Sequence, residues 1–214
     1  QYIFAIHIPI AGMALVPMLM GWPPLMLPLH VALLELVIDP ACSLAFENEP
    51  APEKVMQQPP RDSRAALFGA QAIGLALGQG LCVLACVGLT FYLAKHWPSS
   101  SAAAWSMPWT APHDAVPFAA ALSEAQTRAM LFVTLITGNA ALILSNRAGA
   151  WQFWRSLRTP NAVAYAVIAL AGFFLALAIH WPWLAGPLQF EPLPLWPLLM
   201  ALTSGLLSGV GISV

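Results

Sequence analysis

Charge is what this sequence has least of. Lys and Arg number 8 and Asp and Glu 9, so charged residues make up 8% of 214. An ordinary soluble domain carries roughly 25%. So few ionisable groups cannot coat a water-facing surface, which excludes a water-soluble enzyme and a disordered chain. The formal net charge of -1 leaves no basic field to attract a phosphate backbone, so a nucleic-acid partner is excluded as well. Cysteine is also scarce. Three residues, Cys42, Cys82 and Cys86, make no disulfide framework. Cys82 and Cys86 lie four apart within an apolar run and read as small packing residues on one helix face. No internal repeat is evident.

What the chain has instead is apolar length. Hydrophobic residues make up 59% of it and the mean hydropathy is +0.74. A membrane span takes about 20 mostly apolar residues. The pattern predicts an all-α polytopic membrane bundle of six spans, near residues 1–20, 25–46, 65–94, 128–145, 162–181 and 195–214. Gly21-Trp22-Pro23-Pro24 reads as a tight turn, 47–64 as a polar link, 95–127 as a Ser/Ala/Pro/Trp-rich loop and 183–194 as a Pro-rich turn. Three regions follow: a core helix pair at 1–46, a cytoplasmic link at 47–64 and a four-helix support domain at 65–214.

Charge placement orients the bundle. Lys54, Arg61, Arg64, Arg147, Arg155 and Arg158 fall in the links after spans two and four, and only Lys95 and Arg128 fall on the other side. That bias puts both ends of the chain in the cytoplasm. The many tryptophans, Trp22, Trp97, Trp181 and Trp183 among them, then form interfacial belts. Gly74-x-x-x-Gly78 and Gly205-x-x-x-Gly209 are small-residue patterns suited to close helix contact. The start at Gln1, apolar and without a charged leader region, reads as a cut inside a helix of a longer protein.

Ionisable residues at bilayer depth are costly, so each is a functional candidate. Glu35 and Asp39 are four apart, on one face of a helix. Pro40 follows and has no N–H, which frees backbone carbonyls one turn earlier. Carboxylates beside free carbonyls make an oxygen-rich site for a hard cation such as Ca²⁺ or Mg²⁺. Protonation could alternate there with metal binding. His30 lies on the same span. His7 lies on the first span near Pro9, placed to face Glu35 or Asp39 across the antiparallel pair, as a donor, a proton carrier or a charge replacing one cation. Asn139 on the fourth span is the best further oxygen ligand. Gln71, Gln79, Thr134 and Thr137 read as helix-to-helix hydrogen bonding. The candidate metal set is therefore Glu35, Asp39, His7, His30 and Asn139, with no catalytic residue and no resident cofactor.

The run Leu34-Glu35-Leu36-Val37-Ile38-Asp39-Pro40, followed by Met56-Gln57-Gln58-Pro59-Pro60-Arg61, resembles the membrane half of P-type cation-transporting ATPases of the calcium-pump-like branch. That branch reads N-L-V-T-D-G in its sixth helix and M-x-R-P-P-R in the link after it. The resemblance is most specific over residues 1–64 and extends beyond that in helix count and loop sidedness. It implies that the six spans are the family's fifth to tenth helices. Asp39 falls on the family's sixth-helix ligand aspartate, Glu35 on a ligand asparagine and His7 on a fifth-helix ligand asparagine. Ile10 stands where the family has a ligand glutamate, and the fourth span has no acid. One cation, with His7 as its partner, is the expectation that follows. The phosphorylated D-K-T-G-T motif and the T-G-E loop are absent from the sequence. The resemblance therefore implies ATP and Mg²⁺ bound in N-terminal cytoplasmic domains of the same protein, in a bacterial plasma membrane. A freestanding cation or proton carrier and a non-transporting membrane scaffold are the alternatives.

Overall fold

The structure, a computed structural model, describes residues 2–49, 69–96, 122–147 and 161–210, apart from the side chains of residues 37–39, 41, 42 and 210. Most of the 47–64 link, the 99–121 part of the outer loop and the 148–160 link lie outside the described residues. Seven helices appear and, among the described residues, no strand: α1 (Tyr2–Leu19), α2 (Pro28–Glu47), α3 (Ala70–His96), α4 (Glu124–Arg147), α5 (Ala162–His180), α6 (Pro182–Leu188) and α7 (Leu195–Val210). Four of them, α1, α3, α4 and α5, are long and apolar enough to cross a membrane, and α7 is a shorter apolar helix.

The helix ends follow local chemistry. Pro28 sits in the first turn of α2, where its missing N–H costs nothing. Asn161 caps α5, its side chain accepting the Ala164 N–H at 3.0 Å. At α4 a reciprocal capping box closes the N-terminus. Ser123 Oγ accepts from the Gln126 N–H at 3.0 Å, and Gln126 Oε1 accepts from the Ser123 N–H at 3.1 Å. This cap starts α4 four residues ahead of the expected Arg128. The expected Pro-rich turn at 183–194 contains α6 and an extended stretch. Gln189 closes α6 in the left-handed region, at φ 51°.

Neither α1 nor α2 breaks at its interior prolines. α1 runs through Pro9 and Pro17, and α2 runs through Pro40. The prolines still leave the Ala5 and Leu36 carbonyls without their helical donors, since a proline nitrogen carries no hydrogen. In α1 this has a visible counterpart. A Cβ on Gly80 of α3 would lie 2.7 Å from the Ala5 carbonyl oxygen, so only glycine lets the helices approach here.

α4 is the centre of the bundle. It packs on α1, α2, α3, α5 and α7, and 17 of its 24 residues are buried, against four of 19 in α5. A helix buried on every side is the core element of a bundle. Its tightest partner is α7. A Cβ on Gly205 would meet the Thr137 Cβ at 2.6 Å and the Thr134 carbonyl at 2.7 Å, and one on Gly209 would collide with Ala141. The Gly205/Gly209 pattern is thus a true close contact. The Gly74/Gly78 pattern is not, because nothing lies within 4 Å of either position. α3 uses Gly80 instead.

The first two helices separate in their allegiance. α1 packs chiefly on α3, and α2 on α5, with α4 touching both. They meet through side chains: Tyr2 against Phe46, ring centroids 5.4 Å apart, and His7 against Glu35.

Candidate cation site

The His7–Glu35 contact is the one place where the expected site residues come together. His7 Nε2 lies 3.6 Å from Glu35 Oε1, with the side chains 48% and 39% exposed. The other ring nitrogen fixes the chemistry. His7 Nδ1 lies 2.7 Å from the Ile3 carbonyl oxygen, one turn back. A carbonyl only accepts, so Nδ1 carries the hydrogen, and Nε2 of the neutral ring turns a lone pair toward the carboxylate. An ionised Glu35 would then oppose two lone pairs. The arrangement is relieved by one positive particle between them, either a proton on one partner or a shared cation.

Asp39 belongs to the same helical stretch, four residues after Glu35, and the 3.6-residue period keeps it on the same face. Its side chain lies outside the described residues. Among the described residues no three His, Cys, Asp or Glu side chains converge on one point. Any further ligand from the described residues would therefore be a neutral oxygen. The Leu36 carbonyl, which Pro40 deprives of its helical donor, is one candidate.

Asn139 is another. It is 2% exposed in the middle of α4, and neither its Oδ1 nor its Nδ2 has a hydrogen-bond partner. An orphaned buried amide costs about 1–3 kcal/mol. Its position on α4 shows where it points. Phe132, two turns earlier, touches His30 of α2, with centroids 5.5 Å apart. Asn146, two turns later, donates to Gln79 of α3 at 3.2 Å. Asn139 thus lies on the stripe of α4 that runs between the α2 and α3 sides. Thr134 and Thr137 donate back to the Met130 and Val133 carbonyls and offer no donor to a neighbour.

His30 sits elsewhere and is fully engaged. It is 1% exposed. Its Nδ1 accepts the Leu27 N–H at 3.1 Å, so its Nε2 carries the hydrogen and donates to the Leu188 carbonyl at 2.7 Å. The ring stacks on Phe190, with centroids 4.7 Å apart and planes 7° from parallel. No lone pair is left for a cation. His30 ties the start of α2 to the end of α6.

A second polar cluster, not anticipated from the sequence, holds the other end of α2. Arg147 Nε donates to Glu49 Oε2 at 2.8 Å, the arginine side chain being wholly buried. Asn161 Nδ2 donates to the same oxygen at 3.0 Å. The meeting of Glu49 with Arg147 across 98 residues was not readable there.

Comparison with known families places most of the chain. The family described as cation transporting ATPase, C-terminus, matches residues 23–212, which takes in every described helix except α1. No curated protein matches the chain. The chain belongs to the C-terminal membrane region of the cation-transporting ATPases.

Proposed function

We propose that this member of the cation-transporting ATPase family forms the transport half of an ATP-driven pump for a divalent cation, Ca²⁺ or a similar ion, with protons as the competing occupant. Glu35 and Asp39 are its carboxylate ligands. His7 is the third member, either as ligand or as carrier of the proton that leaves when the cation binds, and Asn139 supplies a neutral oxygen. His30 is left out of the ligand set because both its nitrogens serve backbone groups.

The observation that carries the reading is the His7–Glu35 pair, one group from each of the first two helices, in a family whose members move cations. A carboxylate and an imidazole lone pair facing one another hold one positive particle and exchange it readily. The site lies where α1 and α2 part toward different partners, so a small relative movement changes the distance between its halves. ATP hydrolysis, with its Mg²⁺, would occur in N-terminal cytoplasmic domains of the same protein and drive that movement.

Six spans remain the reading for the bundle. α2, at 20 residues, is about 30 Å long, enough to cross the hydrocarbon core. The end of the bundle holding Arg147, Glu49 and Asn161 is then cytoplasmic, in a bacterial plasma membrane, since the sequence between Arg147 and Asn161 carries Arg155 and Arg158.

The test is phosphorylation of the full-length protein from ATP in membranes, titrated with Ca²⁺, Mn²⁺ and pH. Glu35→Gln and Asp39→Asn should each abolish cation-stimulated phosphorylation while ATP binding persists. Wild-type phosphorylation in both variants would refute the assignment.

A further inference from the structure

The cluster around Glu49 does more than the packing of α2 requires. Arg147 is buried with Nε paired to Glu49 and its Cζ 5.9 Å from the centre of the Tyr165 ring, yet its Nη1 and Nη2 have no hydrogen-bond partner. Desolvating a guanidinium and leaving two of its nitrogens unsatisfied is a costly way to join helices, and an apolar contact of the same volume would join them as well. What a charged, hydrogen-bonded contact adds is direction. Glu49 Oε2 receives the Arg147 Nε–H from α4 and the Asn161 Nδ2–H from the cap of α5. Two donors on separate helices, converging on one oxygen, fix both the height and the rotation of the end of α2. Asn161 Nδ2 also lies 3.4 Å from the Ala45 carbonyl, in the last turn of α2.

Position gives this contact its meaning. Glu49 lies two residues past the end of α2 and ten residues after Asp39, with Pro40 between them. At the far end, His30 anchors α2 to the Leu188 carbonyl. The stretch carrying Glu35 and Asp39 is therefore held at two ends, by a neutral ring at one and by a charged contact at the other. We infer that Arg147 and Asn161 are positioning residues for the cation site: through Glu49 they set the rotation of α2, and with it the cation affinity of the Glu35/Asp39 carboxylates. The inference rests on the proposed pump function.

Asn161 allows a test that spares the fold. Asn161→Ser and Asn161→Asp both keep an N-capping oxygen for α5. Serine removes the donor to Glu49, and aspartate also sets a like charge against it. In the full-length protein, Ca²⁺ and Mn²⁺ are titrated against phosphorylation from ATP. Asn161→Ser should raise the half-saturating concentration about tenfold, the scale of one lost hydrogen bond to a charged group. Asn161→Asp should raise it further, and Glu49→Gln should resemble Asn161→Ser. Maximal phosphorylation should stay near wild type in all three, and so should the melting temperature of Asn161→Ser, whereas Glu49→Gln, which takes the counter-charge from the buried Arg147, should also melt lower. A purely capping role leaves the half-saturating concentration unmoved in both Asn161 variants, and that result overturns the inference while the pump function stands. A wild-type protein with no cation-dependent phosphorylation refutes the pump reading itself and this inference with it.

Discussion

Gly205 and Gly78 lie in small-residue patterns that look alike in the sequence, yet alanine should act on them in opposite directions. At Gly205 a new Cβ meets Thr137 Cβ at 2.6 Å, the Thr134 carbonyl at 2.7 Å and the Gly138 nitrogen at 3.0 Å. Comfortable carbon contacts are about 3.5–4.0 Å, so α4 and α7 would have to separate by roughly 1 Å. Two of the three obstacles are backbone, which no rotamer change can move. Overpacking of this kind costs about 1–3 kcal/mol, and this site belongs at the upper end. The better helix propensity of alanine returns about 1 kcal/mol, leaving Gly205→Ala destabilised by ~2 kcal/mol. At Gly78 nothing lies within 4 Å, so only the propensity gain remains, about 1 kcal/mol of stabilisation. For a chain of this size each kcal/mol moves the melting temperature by about 2–4 °C. Thermal unfolding in detergent, followed by the fraction of monodisperse protein, should therefore fall by about 4–8 °C for Gly205→Ala and rise by about 2–4 °C for Gly78→Ala. A neutral Gly205→Ala or a destabilised Gly78→Ala would refute the assignment of these helix faces.

Two more predictions concern the polar side chains. His30→Phe keeps the stack on Phe190 but leaves the Leu27 N–H and Leu188 carbonyl unpaired, so it should destabilise the protein by about 2–4 kcal/mol; proteolysis at the α5–α6 junction would report it, and wild-type resistance would contradict the anchor. Asn139→Leu removes an unpaired buried amide, so it should stabilise the bundle by about 1 kcal/mol while weakening cation-stimulated phosphorylation about tenfold in half-saturation; stabilisation with unchanged cation response would reduce Asn139 to a packing residue.

The sequence made some of this legible and hid the rest for physical reasons. Long apolar runs and low charge predict an all-helical membrane bundle, because a backbone in lipid must bond within itself. The facing of His7 and Glu35 was readable because a short turn joins their helices. The close packing of those helices was not readable in the same way. Adjacency in sequence fixes which ends are near, while the choice of packing partner depends on surfaces such as Gly80 and Gly12, which fit α1 to α3. The Gly74/Gly78 pattern misled because a small-residue stripe records only the capacity for close approach. The position of α4 at the centre was hidden because its polar residues, Arg128, Thr134, Asn139, Ser145 and Arg147, resemble those of a peripheral helix. Arg128, Ser145 and Arg147 find partners far away in the chain. Ser145 donates to the Gly209 carbonyl, 64 residues on, at 2.8 Å.

The divergence of α1 toward α3 and of α2 toward α5 separates selectivity from stability. His7 and Glu35 meet between two helices that pack chiefly on other partners, while the tight glycine contacts lie elsewhere, between α1 and α3 and between α4 and α7. A substitution at position 7 or 35 therefore disturbs few packing contacts and costs the bundle little. If the pair holds an ion as proposed, the groups facing it can change between carboxamide, imidazole and carboxylate without rebuilding the frame that holds them, and single residue changes along that boundary would retune the same scaffold from one ion to another.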